Sequence, residues 1–152
     1  MIPNPVRRAA LAAIAVTSVL SWGAPVHAGH ELEGRDIAAG AALYAEHCAA
    51  CHGADLEGAP DWQTPGPDGV YPAPPHDATG HTWHHSNADL FEYTKLGGQT
   101  VVDRMSLTNF TSGMPGFGDI LTDEQIWEVL AFIASTWPER EASVQAARNP
   151  PH

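Results

Sequence analysis

The chain has 152 residues, and its 18 aspartates and glutamates outnumber its seven lysines and arginines, which gives a formal net charge of −11 at pH 7. Such acidity argues against nucleic acid and anionic membrane surfaces as partners. The length suits one small domain.

The N-terminal segment is typical of a secretory signal peptide. Arg7 and Arg8 form a positive region, and an uncharged apolar run follows from Ala9 to Trp22. The small residues of Val26-His27-Ala28 predict cleavage directly after them, so residues 1–28 are assigned to the signal peptide. The apolar run is shorter than the roughly 20 residues of a transmembrane helix. We therefore expect export to the periplasm without stable membrane insertion, and an uncleaved anchor is the alternative.

Residues 29–138 are predicted to form one domain, whose first helix runs from about Arg35 to Cys48. Apolar side chains, including Tyr44, recur there at helical spacing. Gly40 interrupts the pattern, and a glycine inside a helix costs on the order of 1 kcal/mol relative to alanine. Close approach by another helix would explain why a glycine stands at this position.

A C-x-x-C-H pattern follows in Cys48-Ala49-Ala50-Cys51-His52 and is typical of covalent haem attachment. In such a site the thiols of Cys48 and Cys51 would each add to a haem vinyl group, and His52 would be an axial ligand of the iron. Both cysteines of the chain lie in this motif, so attachment leaves no disulfide. A thioredoxin-like dithiol, a structural zinc site and a chance occurrence are the alternatives. Export favours haem c, because this haem is attached outside the cytoplasm.

The segment from Ala59 to His85 is long and rich in proline and glycine. It is predicted to lack regular structure, because proline fixes φ and has no amide donor. A loop of this length in a compact domain is often functional. We expect it to wrap an edge of the porphyrin that the helices leave uncovered.

Four histidines lie near the end of this loop: His76, His81, His84 and His85. Three functional interpretations are a copper or zinc site, a hydrogen bond from a histidine or Trp83 to a haem propionate, and replacement of Met114 as an iron ligand. The simplest alternative is a loop held by local hydrogen bonds and packed on the haem edge by Trp83. We favour this last interpretation, with propionate contacts.

Two more helices are predicted. The second runs from about Asn87 to Leu96 and stops at Gly97-Gly98. The third starts at a capping box, Thr122-Asp123-Glu124-Gln125, and ends at Trp137-Pro138. Its apolar stripe consists of Ile126, Val129, Leu130 and Ile133. Residues 139–152 are expected to be a frayed, flexible tail.

Met114 is the candidate for the opposite face of the iron. It lies in Ser112-Gly113-Met114-Pro115-Gly116-Phe117, where glycine and proline favour a tight irregular loop. A thioether suits low-spin haem iron and raises its reduction potential. Met105 lacks such a loop and is expected to be a packing residue.

Taken together, these residues resemble a class I c-type cytochrome. Gly40, Tyr44, the C-x-x-C-H motif, Met114-Pro115, Val129 and Phe132 follow the order of that family. The resemblance covers about Gly34 to Trp137 and implies an all-α fold, with three main helices around one covalently attached haem. It implies that the first and last helices cross, and that His52 and Met114 are the axial pair. The long Pro-rich loop and its histidines depart from the family pattern.

The expected function is that of an exported electron carrier and not of an enzyme. It would use one haem c and exchange electrons with redox partner proteins such as an oxidase, a reductase or a dehydrogenase. One alternative is an accessible iron that serves as a peroxidase or gas-sensing site. A copper-handling protein that uses the His76–His85 cluster is the other.

Overall fold

The computed structural model describes residues 30–149, which fold into six α-helices, two short strands and one 3-10 turn. The predicted signal peptide lies outside the described residues. The helices are α1 (Ile37–His47), α2 (Ala49–His52), α3 (Asn87–Leu96), α4 (Gly98–Arg104), α5 (Asp123–Ser135) and α6 (Glu139–Ala146). Strand β1 (Val70–Tyr71) pairs in parallel with β2 (Thr111–Ser112), and the turn spans Thr82–His84. The predicted all-α class is confirmed.

Helices α1 and α5 pack against each other as expected, and Gly40 lies where they cross. A Cβ atom added to Gly40 would lie 2.1 Å from the carbonyl oxygen of Glu128. One turn later, the rings of Tyr44 and Phe132 pack with their centroids 5.5 Å apart. The glycine therefore permits a backbone contact that any side chain at this position would prevent.

Local capping signals set the starts of α1 and α5. The Asp36 carboxylate accepts hydrogen bonds from the amides of Ala38 and Ala39, each at 3.0 Å, so α1 begins one residue after Asp36. At α5 the predicted capping box forms between Thr122 and Gln125. The predicted stripe of α5 is buried: Ile126, Val129, Leu130 and Ile133. These caps satisfy amides that a helix start leaves without partners.

Helix α3 ends where the sequence predicts, but a fourth helix follows at once. Gly97 caps α3 with a φ of 86°, which suits glycine. A Cβ atom at Gly97 would also lie 2.7 Å from the amide nitrogen of Gly116. Gly98 then begins α4 instead of extending the stop. The turn at Gly97 thus brings the segment around Met114 against the end of α3.

The expectation of a frayed tail is wrong for the described part of 139–152, because α6 packs there on the turn Thr82–His84. The helix carries no apolar stripe that would reveal it in the sequence. Its buried residues are Glu141 and Gln145, which are 7% and 6% exposed. The Gln145 amide donates to Asn87 Oδ1 at 2.5 Å. Polar contacts to the start of α3 therefore hold this helix in place.

Asn87 joins both ends of the described chain, and its replacement by alanine is expected to destabilise the fold. It is 2% exposed, and its Nδ2 donates to Glu31 Oε2 at 2.8 Å. Its own amide donates to Asn149 Oδ1, also at 2.8 Å. Asn87→Ala removes the acceptor of the buried Gln145 amide, so the free energy of unfolding should fall by about 1–3 kcal/mol. Denaturant titration measures this loss.

Asn109→Ala is the matched control, because Asn109 is exposed and lies away from this network. An exposed substitution of this kind is expected to stay within about 0.5 kcal/mol of the parent protein. Equal stability of the two variants would show that the buried network contributes nothing.

Among residues 30–149, no helix is long and apolar enough to cross a membrane.

Candidate haem-attachment site

The C-x-x-C-H motif occupies the junction of α1 and α2. Cys48 is the C-cap of α1, and the amides of Cys51 and His52 both donate to its carbonyl oxygen, at 3.1 and 3.0 Å. Just beyond His52, the Tyr44 hydroxyl donates to the Gly53 carbonyl at 2.8 Å. One tight turn thus carries both thiols and the imidazole, and it is tied to the core of α1.

His52 has the geometry of a prepared metal ligand. It is 6% exposed, and its Nδ1 lies 2.8 Å from the Pro74 carbonyl oxygen. A carbonyl only accepts, so the proton is on Nδ1 and the lone pair of Nε2 is left for a metal. Burial lowers the pKa of His52, and the hydrogen bond to Pro74 opposes this shift. The ring is therefore neutral at neutral pH, as iron ligation requires.

The two cysteines differ in exposure. Cys51 is exposed, whereas Cys48 is half-buried and packs against the core cluster around Tyr44. Burial raises the pKa of the Cys48 thiol to about 11, and the negative charge of a Cys51 thiolate adds to this shift. Both sulfurs are free of disulfide bonding, and both are positioned on the same turn as His52.

Met114 lies in a loop that the surrounding structure holds firmly. Its carbonyl oxygen accepts from the Gly98 amide at 3.0 Å, and its own amide donates to Ser112 Oγ at 3.3 Å. Ser112 Oγ also accepts a hydrogen bond from the Tyr93 hydroxyl at 3.1 Å. The half-buried Met114 packs against a second core cluster, formed by Phe117, Leu121, Ile126 and Leu130. The role of Met114 as an iron ligand stays a prediction.

The attachment turn and the methionine loop lie against neighbouring parts of the core. Cys48 and Ala49 pack on the Tyr44 cluster, and Met114 packs on the Phe117 cluster. Leu43 and Leu90 contact both clusters. The two predicted sides of the iron site are therefore connected through shared apolar side chains.

The residues present fit a haem c. Two free thiols and a buried imidazole with an available Nε2 are the donor set that this group needs. Trp83 Nε1 is available as a hydrogen-bond donor. It is the sole buried side-chain nitrogen or oxygen within residues 30–149 that has no hydrogen-bond partner. A propionate is the kind of acceptor that would satisfy this indole, because buried donors rarely go unpaired.

The four loop histidines do not converge on one point. His81 stacks on Trp62 at 5.3 Å between centroids, and its ring contacts His85 edge-on at 5.4 Å. His84 stacks on Trp83 at 3.7 Å. Within residues 30–149, no three histidine, cysteine, aspartate or glutamate side chains are grouped so that they could hold a metal ion. The arrangement gives no support to the copper or zinc interpretation.

Hydrogen bonds and buried side chains hold the loop, as the local part of the favoured interpretation expects, while its haem contacts stay a prediction. The amide of Gly58 donates to the His52 carbonyl, and the amide of Ala59 donates to the Ala73 carbonyl. Trp83 is 8% exposed and belongs to the core cluster around Tyr44. Local contacts therefore explain the order of the loop without a second metal.

A cavity of about 380 Å³ lies beside Pro74, the residue that orients His52. Its lining includes Trp62, Tyr71, His81 and Phe110. Tyr71 stacks on Phe110 with 4.6 Å between ring centroids. The Pro-rich loop thus places flat aromatic surfaces next to the attachment turn.

His76 is the site residue that sequence reasoning did not separate from its neighbours. Its ring stacks on His52 with 4.0 Å between centroids and 20° between planes. Burial is the largest cause of a pKa for His76 well below its usual value, and the nearby His52 and His81 add to this shift. The sequence does not predict the contact of Pro74 with His52 either, and the one signal for it is the position of Pro74 in the proline-rich loop. Both contacts to His52 span more than 20 residues of chain.

Residues 37–137 match the family model described as Cytochrome c. No curated protein and no solved structure matches the chain. The matched range includes the attachment turn, the Pro-rich loop, the methionine loop and α5, and it ends before α6.

Proposed function

The chain belongs to the cytochrome c family, and on this basis we propose that it carries single electrons between redox partners through one haem c with His52 and Met114 as axial ligands. The observation that carries the proposal is the state of His52. Its Nδ1–H is bound to Pro74, which leaves Nε2 for iron, and the same turn presents Cys48 and Cys51. Haem c supplies reversible exchange between ferric and ferrous iron when it is bound.

The surrounding residues favour electron transfer over catalysis. With both His52 and Met114 bound to the iron, no coordination position would be left for a substrate. A hydrogen bond to Pro74 orients the His52 ring, and the bonds from Gly98 and to Ser112 fix the backbone of Met114. Fixed ligands keep the geometry similar in both oxidation states, so little reorganisation accompanies each electron.

The charge of the chain supports one kind of redox partner. Acidic residues outnumber basic ones by 18 to seven, so a partner that presents a basic docking surface gains electrostatic attraction and faster association. The expected location is the periplasm, reached through the N-terminal segment described in the sequence.

A redox titration of the mature haem protein, followed by exposure of the reduced form to carbon monoxide, tests this proposal. We expect one reversible one-electron transition and no carbon monoxide complex, because Met114 holds the sixth position. Stoichiometric binding of carbon monoxide by the unmodified protein would contradict the proposal. It would indicate instead an accessible iron of the peroxidase or gas-sensing type.

A further inference from the structure

Two contacts hold the ring of His52: a hydrogen bond to Pro74 and the stacked ring of His76. The bond from Nδ1 to the Pro74 carbonyl fixes the direction in which one ring atom points. The stacked ring of His76 covers a face of the imidazole, with 4.0 Å between centroids and 20° between planes. A hydrogen bond at one atom leaves rotation about that bond free, whereas a stacked partner restricts the plane itself.

His76 is itself anchored through both its side chain and its backbone. Its Nδ1 lies 2.8 Å from Thr82 Oγ1, and Thr82 is 5% exposed. Its amide donates to the Leu56 carbonyl at 2.8 Å. Its carbonyl accepts from Trp137 Nε1, also at 2.8 Å. Contacts from three separate segments therefore hold the stacking ring in place.

The backbone around this anchor is packed too tightly to shift easily. A Cβ atom at Gly80 would lie 2.0 Å from the Pro75 carbonyl oxygen. Thr82 Oγ1 also donates to this same carbonyl, at 3.4 Å. The loop between Pro75 and Thr82 thus closes on itself and presents His76 toward His52.

We propose that His76 is a positioning residue for the axial ligand. By stacking on His52 it fixes the plane of that ring, and so it influences the spin distribution and the reduction potential of the haem iron. The inference rests on the proposed function, because it requires His52 to bind iron. Groups that orient a metal-bound histidine influence the electronic properties of the metal. The plane of an axial imidazole decides how unpaired spin is distributed over a ferric haem, and this distribution is measurable.

The test compares His76→Leu with His76→Phe in the mature haem protein. Phenylalanine retains a flat ring that can stack, whereas leucine does not. We expect the paramagnetic NMR shifts of the haem methyl groups to keep their order and spread in His76→Phe and to change in His76→Leu. The reduction potential should follow the same pattern, with the larger shift in His76→Leu.

Two further variants keep the test decisive. His85→Leu is the control for loop packing, because the His85 ring contacts His81 and neither His52 nor Trp83; its methyl shifts should equal those of the parent protein. Thr82→Val removes the hydrogen bond that anchors the His76 side chain but keeps the His76 ring. We therefore expect the haem methyl shifts to change as they do in His76→Leu, but by less.

Unaltered methyl shifts and potential in His76→Leu would overturn the proposal, as would equal changes in His76→Leu and His76→Phe. Failure of the proposed function would give a different experimental result. In that case the unmodified protein would already lack a low-spin ferric spectrum, before any variant is compared.

Discussion

Replacing Met114 with alanine is expected to open the sixth coordination position of the iron and to change its spin state. Alanine offers no donor atom, and the hydrogen bonds that hold this loop involve only the backbone of residue 114. The loop should therefore persist while the ligand is lost. We expect complete loss of the methionine-to-iron charge-transfer band, a high-spin ferric spectrum and binding of carbon monoxide by the reduced protein. The reduction potential should fall, because thioether ligation raises it.

Met105→Ala is the matched control for this experiment. Met105 follows α4 and is 64% exposed, so the expectation that it is a packing residue is wrong and it serves here as a surface methionine. Its replacement should leave the optical spectrum, the spin state and the potential as they are. Retention of the charge-transfer band in Met114→Ala, or its loss in Met105→Ala, would contradict the assignment of Met114.

Gly40→Ala is expected to produce a large loss of stability. The added Cβ atom would lie 2.1 Å from the carbonyl oxygen of Glu128 and 2.6 Å from its carbonyl carbon. These are backbone atoms inside α5, so relief requires the helices to move apart. Overpacking of this kind costs about 1–3 kcal/mol or more, which exceeds the gain of up to about 1 kcal/mol in helix propensity. Denaturant titration of the haem protein measures the net change.

Ala38→Gly serves as the control on the same helix. Ala38 is exposed, so this substitution changes helix propensity without changing a helix contact. Because Ala38 lies in the first turn of α1, the free energy of unfolding should fall by less than the roughly 1 kcal/mol of a helix interior. Glycine removal at an exposed helical position stabilises a protein. If Gly40→Ala did the same, the conclusion that α1 and α5 cross in close contact at Gly40 would be contradicted.

The parts of the fold that could be predicted carry their signals within a few residues of chain. The capping box at Thr122 and the apolar stripe after it define α5, because both depend on neighbours three or four residues away. The glycine at position 97 marks the end of α3 for the same reason. The attachment turn at Cys48–His52 was predicted because its chemistry requires one short spacing.

Other parts were beyond prediction because they depend on contacts between distant segments. Helix α6 has a polar sequence, and the buried contact between Gln145 and Asn87 joins residues 58 positions apart. The stack of His76 on His52 cannot be distinguished in the sequence from the three other loop histidines. Only the fold shows that His76 alone among these four stacks on the candidate ligand, within the residues that the structure describes.

The assignment of His52 and Met114 as axial ligands is tested most directly by the absorption spectrum of the mature haem protein in both redox states. The predicted result is one covalently bound haem c per chain, low-spin in both states, with a methionine-to-iron charge-transfer band in the ferric form. A high-spin ferric spectrum without that band, or haem that can be extracted from the protein, would contradict the assignment.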